Sequence, residues 1–357
     1  MFSFLLLTAC ISVQVNDSAF RAYLPSGTSP KNVIFLIGDG MGLSQVSAGF
    51  YFNNGSSNFE RFSNIGLIKT SASDHLVTDS AAGATAFSTG VKTYNGAIGV
   101  NKDTVPQPTI LEQLSAKGLA TGVIATSSIQ HATPASFYAH TKSRALYEEI
   151  STFLPTSNIS FFAGGGLRFF NEREDGADLL KTLQKNGYEV STEKLPATVS
   201  PKKQAIILAK NAMPKILEGR GDFLPDATKL ALQKLQAGPE GFFLVVEGSQ
   251  IDWGGHNNDA DYLVKEQLDF DRTVGVALDF AKNHPGTLVL VTADHETGGF
   301  TLAANGSDYN TLKPSFSTGG HSATLIPVFA HGPGAEKFNG VYENTAIYEK
   351  LASLLLE

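Results

Sequence analysis

The stretch Val33-Ile34-Phe35-Leu36-Ile37-Gly38-Asp39-Gly40 decides the fold of this chain. Apolar residues follow one another without a polar interruption, and the run ends at a glycine and an aspartate. A continuously apolar run rich in β-branched residues is typical of a strand that is buried on both faces, as in a parallel sheet covered by helices. Residues 33–37 are therefore predicted to form an inner strand of such a sheet.

Runs of the same kind occur at residues 121–125, 242–246 and 288–291, with helical patterns between them. Residues 109–117 begin with Thr109 and Glu112 in capping-box spacing, and residues 260–282 carry an apolar stripe. Residues 346–355 have the pattern of a closing amphipathic helix. The alternation predicts an α/β fold with a central, mostly parallel sheet flanked by helices on both faces.

The composition is that of a globular enzyme, with 357 residues, 42% of them hydrophobic and 17% charged. The net charge is −7, so the chain lacks the broad basic surface that duplex-binding proteins use, and nucleic acid is excluded as a partner. Residues 171–225 are charged and poor in apolar runs, and we expect them to form a small peripheral insertion in a single catalytic domain of residues 29–357.

Residues 1–28 are set apart from that domain as a leader and tether. A short apolar run ends at Leu7-Thr8-Ala9-Cys10, which resembles a bacterial lipoprotein signal whose cysteine is lipidated after cleavage. We expect an exported protein, either periplasmic or anchored to the membrane through a lipid on Cys10. Cys10 is the single cysteine, so an intrachain disulfide is excluded.

Each predicted strand is followed by side chains that bind metals. Because ligand sites of open parallel sheets lie beyond the carboxyl ends of the strands, these residues are expected to converge although they are distant in sequence. They are Asp39 after the first run, His131 after the second, Glu247, Asp252 and His256 after the third, and Asp294 and His295 after the fourth.

Carboxylate and imidazole together form the usual ligand set of zinc, and the number of such groups permits more than one ion. Asp252 and His256 are four residues apart, which places both on one face of a helical turn. Asp294 and His295 are adjacent and can hold a second ion from a loop. His321, in Ser317-Thr318-Gly319-Gly320-His321-Ser322, could complete either site.

Ser80 lies in the small-residue run Thr78-Asp79-Ser80-Ala81-Ala82-Gly83, which begins with helix-capping side chains and continues with helix formers. The run predicts that Ser80 stands at the start of a helix. The N–H groups and the positive end of the helix dipole favour an anion there, and a serine beside zinc ionises more readily. On this segment alone, a plain helix cap explains the pattern equally well.

Taken together and in this order, the motifs resemble those of the alkaline phosphatase family, from Lys31 to Pro333. The resemblance implies a phosphate monoester hydrolase of broad specificity in which Ser80 forms a phosphoserine at a site with two zinc ions and one magnesium ion. It implies that Asp39, Asp294 and His295 hold the zinc that activates the serine, and that Asp252, His256 and His321 hold the second zinc. Thr133 and Glu247, with Asp39, match the third, magnesium, site, and Arg144 matches the arginine that clamps the phosphate.

Two positions are variable in that family. His131 stands where some members have aspartate, so the third site is expected to bind magnesium more weakly or to admit a third zinc. Trp253 stands where some members have lysine or histidine, and we expect it to weaken retention of the phosphate product.

Three alternatives remain open at this stage. A sulfatase is disfavoured because no Cys- or Ser-x-Pro-x-Arg motif surrounds Ser80. A phosphodiesterase of the same superfamily usually carries threonine as its nucleophile. A non-catalytic surface lipoprotein that binds metal or phosphate is the alternative from a different class.

The resemblance also implies a homodimer, although the short insertion leaves both a monomer and a dimer open.

Overall fold

The computed structural model describes residues 29–53 and 56–356. The strands in chain order are β1 (Asn32–Gly38), β2 (Asn64–Lys69), β3 (Ala120–Ser128), β4 (Phe161–Gly165), β5 (Tyr188–Ser191), β6 (Lys203–Ala209), β7 (Phe242–Gly248), β8 (Thr287–Thr292), β9 (Glu296–Thr297), β10 (Thr301–Asn305), β11 (Asp308–Ser315), β12 (His321–Ser322), β13 (Ile326–His331) and β14 (Gly340–Glu343).

The α-helices in chain order are α1 (Leu43–Tyr51), α2 (Ser80–Thr89), α3 (Ile110–Ala116), α4 (Ala132–Ala135), α5 (Tyr147–Ser151), α6 (Arg168–Asn171), α7 (Leu179–Lys185), α8 (Phe223–Leu235), α9 (Gln250–His256), α10 (Ala260–Asn283) and α11 (Ala346–Leu355). Short 3-10 helices lie at Asn58–Arg61, Leu154–Thr156, Ile216–Glu218 and Ala335–Phe338. Among the described residues, no helix combines the length and the apolar character needed to cross a membrane.

The central sheet has ten strands in the order β14-β2-β13-β8-β1-β7-β3-β4-β6-β5. β13 runs antiparallel to its two neighbours, and the other pairings in this sheet are parallel. The predicted α/β class is thus confirmed. The four runs predicted from sequence became β1, β3, β7 and β8, and they are adjacent in the sheet, so their carboxyl ends lie side by side.

Helices cover both faces of the sheet, as the continuously apolar strands predict. Successive side chains of a strand point to opposite faces, so Phe35 and Gly38 of β1 face different helical layers. The Phe35 ring packs edge-on against Phe87 of α2. Gly38 faces Phe270 of α10, close enough that a Cβ atom at position 38 would contact that ring at 3.1 Å.

The predicted helices are also present. Thr109 and Glu112 form the expected capping box of α3, and α11 spans residues 346–355. Residues 171–225 contain α7, β5 and β6, and the two strands form one edge of the central sheet. The segment is therefore peripheral in position but continuous with the sheet, and its description as an insertion stays a prediction. The predicted leader, including Cys10, lies outside the described residues.

Candidate active site

Ser80 is the first residue of α2, and it is buried at the carboxyl edge of the sheet. Asp79 is the N-cap, and its Oδ1 atom accepts a hydrogen bond of 2.9 Å from the N–H of Ala82. The helix start predicted from the sequence is confirmed. The small residues of α2 allow close packing, since a Cβ atom on Gly83 would lie 3.0 Å from Cβ of Asp294. The helix that carries the nucleophile candidate is therefore packed directly against a candidate metal ligand.

The first candidate metal cluster consists of Asp39, Asp294 and His295, which are all buried. The Nε2 atom of His295 lies 3.5 Å from Oδ1 of Asp39 and 3.4 Å from Oδ2 of Asp294. The same Nε2 atom lies 3.2 Å from Oγ of Ser80. Three potential ligands and the serine oxygen thus surround one small volume.

The second cluster consists of Asp252, His256 and His321. The Nδ1 atoms of both histidines face backbone carbonyls, of Gly319 at 2.7 Å for His256 and of Thr78 at 2.8 Å for His321. Both Nδ1 atoms must therefore carry the ring proton, which leaves both Nε2 atoms as acceptors. These Nε2 atoms are 3.1 Å apart. Two facing lone pairs repel each other unless a cation lies between them, so this arrangement fits a metal ion.

The third cluster is formed by Asp39, His131 and Glu247, so Asp39 belongs to two clusters. Hydroxyl groups of Ser249 and Ser127 donate to Oε2 of Glu247, at 2.5 Å and 3.2 Å. The Thr133 hydroxyl lies close enough to lower the pKa of Glu247 without a hydrogen bond of good geometry. The predicted residues of the third site therefore lie together, and His131 lies beside them.

Buried polar atoms that lack hydrogen-bond partners indicate whether the clusters fit metal ions. Among the described residues, both carboxylate oxygens of Asp39 lack a hydrogen bond, as do Oε1 of Glu247, Oδ2 of Asp294, Nδ1 of His131 and Oγ1 of Thr133. Leaving such atoms unpaired is unfavourable, and six of the fourteen unpaired atoms among the described residues belong to the proposed ligand sets. Metal coordination would satisfy the oxygen atoms among them.

The electrostatics of the site support the same conclusion. Burial raises the pKa of Asp39 well above its usual value, and repulsion from Asp294, Asp252 and Glu247 raises it further. Burial also raises the pKa of Glu247 to about 7. A group of mutually repelling buried carboxylates is unfavourable without cations, and bound metal ions offset this negative charge.

Arg144 faces the same site from the loop before α5. Its Nη1 atom donates to Oδ2 of Asp79 at 2.9 Å, and its Nη2 atom lies 3.2 Å from Nε2 of His131. Trp253 packs edge-on against His131, with ring centroids 5.8 Å apart. The structure thus brings together the residues that the sequence nominated, with His131 and Trp253 among them.

Two neighbours of the site were not nominated from the sequence. Asp79 both caps α2 and holds Arg144, and its position beside Ser80 in a capping pattern was the signal that could have identified it. Thr297 contacts Asp252 and His295 through its hydroxyl group. A threonine in the two-residue strand β9 carries no such signal, because its partner Asp252 comes from a different segment.

Comparison with known proteins places these features in context. A family model described as alkaline phosphatase matches residues 30–316. Alkaline phosphatase 3 of Bacillus subtilis (strain 168) is 34% identical, over 91% of this chain and 89% of its own length. The solved alkaline phosphatase of the Antarctic bacterium TAB5 is 54% identical, with a TM-score of 0.90 over 92% of this chain and 98% of that one. A histidine-to-aspartate variant of the TAB5 enzyme, with magnesium bound in its M3 site, is 53% identical, with a TM-score of 0.90 over 92% of this chain and 99% of that one.

Proposed function

The chain belongs to the alkaline phosphatase family, and on that premise we propose that Ser80 is its nucleophile and forms a phosphoserine intermediate. The protein is a metal-dependent phosphatase that acts on phosphate monoesters. The observation that carries the proposal is the position of Ser80 at the start of α2, with its Oγ atom 3.2 Å from Nε2 of His295, a member of the first metal cluster.

The proposed reaction has two displacements at phosphorus. The oxygen of Ser80 attacks the phosphorus opposite the ester oxygen, the P–O ester bond breaks, and the leaving alcohol takes up a proton in exchange for the one that the serine hydroxyl loses. Water then attacks the phosphoserine, which releases inorganic phosphate and restores the serine hydroxyl. The buried start of α2 favours this chemistry because its free N–H groups and dipole stabilise negative charge on the phosphate oxygens.

The metal content is part of the proposal. Asp39, Asp294 and His295 would hold one zinc ion, and Asp252, His256 and His321 a second. Asp39, Thr133 and Glu247, with His131 beside them, would hold magnesium. When bound, the ions supply Lewis-acid chemistry that lowers the pKa of the Ser80 hydroxyl and offsets charge on the attacking and leaving oxygens.

Arg144 is proposed to orient the phosphate. Its guanidinium group is anchored on one side by Asp79 and on the other by His131, so the remaining N–H groups are free to bind two phosphate oxygens. This fork geometry suits phosphate better than a single ammonium group would. The phosphate would thus be bound between Arg144 and the N-terminus of α2.

The third site is proposed to bind magnesium weakly or to accept zinc, because imidazole is a softer ligand than carboxylate. The TAB5 variant with aspartate in place of a histidine, which holds magnesium in its M3 site, supports a test on this chain. His131→Asp is expected to raise the affinity for magnesium, measured by calorimetric titration of the zinc-loaded protein. An unchanged magnesium affinity would contradict the proposed role of His131.

Export and assembly are further proposals that rest on sequence. We propose that the protein is exported and that Cys10 carries a lipid. Incorporation of a labelled fatty acid that Cys10→Ser abolishes would support this, and lack of labelling in the unaltered protein would contradict the lipid anchor. A homodimer is proposed as the assembly state and is tested by sedimentation equilibrium of the metal-loaded protein.

The central experiment follows hydrolysis of an aryl phosphate at alkaline pH for residues 29–357, before chelation, after chelation and after return of zinc and magnesium. Ser80→Ala is expected to lower kcat by at least about a thousandfold, because the nucleophile is lost. Ser88→Ala is the matched control, since Ser88 is buried in the same helix and donates only to the carbonyl of Thr85.

The activity of Ser88→Ala should stay within about twofold of that of the parent protein. Activity that survives in Ser80→Ala would overturn the proposed nucleophile. A protein that binds zinc tightly but hydrolyses no monoester, diester or sulfate would instead be a binding protein.

A further inference from the structure

The hydroxyl group of Thr297 lies between members of two different metal clusters. Its Oγ1 atom is 2.5 Å from Oδ1 of Asp252, in the second cluster. It is also 3.2 Å from Nδ1 of His295, in the first cluster. Thr297 is fully buried, so no bulk water replaces these contacts. The side chain is therefore the direct hydrogen-bonded link between the two clusters.

The direction of the two hydrogen bonds follows from the groups involved. An ionised carboxylate only accepts, so Thr297 donates its single hydroxyl proton to Asp252. The Thr297 oxygen can then only accept from His295, which requires the proton of that imidazole to be on Nδ1. Nε2 of His295 is left as the acceptor, and it is the atom that faces Ser80, Asp39 and Asp294.

The surrounding backbone is built to hold Thr297 in this place. A Cβ atom on Gly40, which has φ of +74°, would lie 2.8 Å from Oγ1 of Thr297. A Cβ atom on Gly255 would lie 2.9 Å from the Thr297 methyl group. The absence of side chains at both positions makes room for the threonine.

Three backbone contacts restrain the same residue. The N–H of Thr297 donates to the carbonyl of Gly40, and its carbonyl accepts from the side chain of Gln45 at 2.9 Å. Thr297 also pairs with His321 between β9 and β12. The hydroxyl group is thus held between Asp252 and His295 by the backbone as well as by its own hydrogen bonds.

We propose that Thr297 is a positioning residue that couples the two zinc sites, by fixing the Nδ1-protonated form of His295 and the orientation of Asp252 with one hydroxyl group. The inference rests on the proposed function for the identity of the two sites. Hydrogen bonds that orient metal ligands typically contribute 10-fold to 100-fold to metal affinity. Loss of the hydroxyl should therefore weaken zinc binding at both sites, rather than at one.

The test compares Thr297→Val with Thr297→Ser in the metal-free protein, titrated with zinc in competition with a chromophoric chelator. Valine keeps the shape of threonine and removes both hydrogen bonds, whereas serine keeps the hydroxyl and removes only the methyl group. We expect zinc affinity to fall about 10-fold to 100-fold at both sites in Thr297→Val and to stay within about threefold of the parent in Thr297→Ser.

Thr228→Val is the matched control. Thr228 is a buried threonine of α8 whose hydroxyl donates to the carbonyl of Leu224 at 2.8 Å, away from the clusters. Its zinc affinities should equal those of the parent. Thermal unfolding of the metal-free proteins identifies any variant that fails to fold, and Thr297→Ala then repeats the test with a smaller side chain.

Parent-like zinc affinity in Thr297→Val would overturn the inference, as would equal weakening in Thr297→Ser, since the methyl group would then be responsible. Weakening confined to one site would also overturn the proposed coupling. These outcomes are independent of turnover. If the parent binds two zinc ions but hydrolyses no phosphate ester, the proposed function fails while the result for Thr297 stands.

Discussion

The Nδ1 atom of His321 lies 2.8 Å from the carbonyl oxygen of Thr78, two residues before Ser80. His321, a member of the second metal cluster, is therefore hydrogen-bonded to the segment that leads into Ser80. The same hydrogen bond leaves Nε2 of His321 available to a metal, 3.1 Å from Nε2 of His256. Placement of the metal ligand and placement of the serine thus depend on each other.

His321→Ala is expected to lower activity by at least about 100-fold and to reduce bound zinc by one ion per chain, because a ligand and a brace are lost together. Zinc content by elemental analysis and kcat with an aryl phosphate check both effects. His284→Ala is the control, since that ring stacks on Phe280 in α10. Full zinc content in His321→Ala would contradict the assignment of His321 as a ligand.

Asp79→Asn separates the two tasks of Asp79. Asparagine caps helices about as well as aspartate, so α2 should keep its stability. Arg144, however, loses its charged partner at 2.9 Å and should hold phosphate less firmly. We expect KM and the inhibition constant of phosphate each to rise by about threefold to tenfold.

Asp79→Ala is the comparison variant, and it should add a loss of stability of about 1 kcal/mol because the cap is removed. Steady-state kinetics and thermal unfolding measure the two effects. If Asp79→Asn binds phosphate as tightly as the parent, Asp79 does not position Arg144.

Trp253→Lys is expected to strengthen inhibition by phosphate. Trp253 is an uncharged neighbour of His131, and a lysine in its place would add a positive charge near the bound anion. The inhibition constant of phosphate should fall by about threefold to tenfold. Trp253→Met, an uncharged replacement, should not produce this fall. Inhibition no stronger in Trp253→Lys than in the parent would contradict the predicted effect on product retention.

The pair His140 and Glu112 predicts a pH-dependent contribution to stability. Nδ1 of His140 lies 2.8 Å from the carbonyl of Gly99, and Nε2 lies 3.0 Å from Oε1 of Glu112. Both ring nitrogens face acceptors, so the charged imidazolium is the form that fits. Burial lowers the pKa of His140, but the hydrogen bonds to Glu112 and Gly99 raise it more, and the net shift is upward.

A histidine whose pKa is raised on folding contributes stability below its unfolded pKa of 6.5, and this contribution is lost as the pH rises through the folded value. Glu112→Gln should therefore lower the free energy of unfolding by about 1 kcal/mol at pH 6, allowing for the partial exposure of Glu112, and have little effect at pH 9. Urea unfolding at both pH values measures the difference. An equal loss at pH 6 and pH 9 would contradict the charged pair.

Much of the framework could be predicted from local pattern. The apolar runs that became β1, β3, β7 and β8 were visible because burial on both faces requires uninterrupted apolar side chains. The capping box of α3 and the extent of α11 were visible because capping and amphipathic periodicity are local. The convergence of Asp39, Glu247 and Asp294 followed from one general rule, that ligand sites lie at the carboxyl ends of parallel strands.

The order of the strands was not visible, because pairing depends on contacts between distant segments. Residues 171–225 are charged and poor in apolar runs, yet β5 and β6 extend the central sheet at its edge. β5 is a short edge strand of four residues and carries little signal of burial, whereas β6 contains the apolar run of residues 205–209, which the charged residues, glycines and prolines around it obscured. The double task of Asp79 was likewise hidden, since Arg144 is distant in sequence.

The sequence by itself determined the α/β class, the helix that begins at Ser80 and the set of metal-binding side chains, because each depends on residues that are close together in the chain. Only the tertiary structure decided how those side chains are grouped, which ring nitrogen each histidine offers, and that Thr297 joins Asp252 to His295. The Thr297 and Asp252 side chains are 45 residues apart in sequence and 2.5 Å apart in space. Hydrogen bonds of this kind require sub-ångström placement of separate segments, and that placement arises only when the whole sheet and both helical layers pack together.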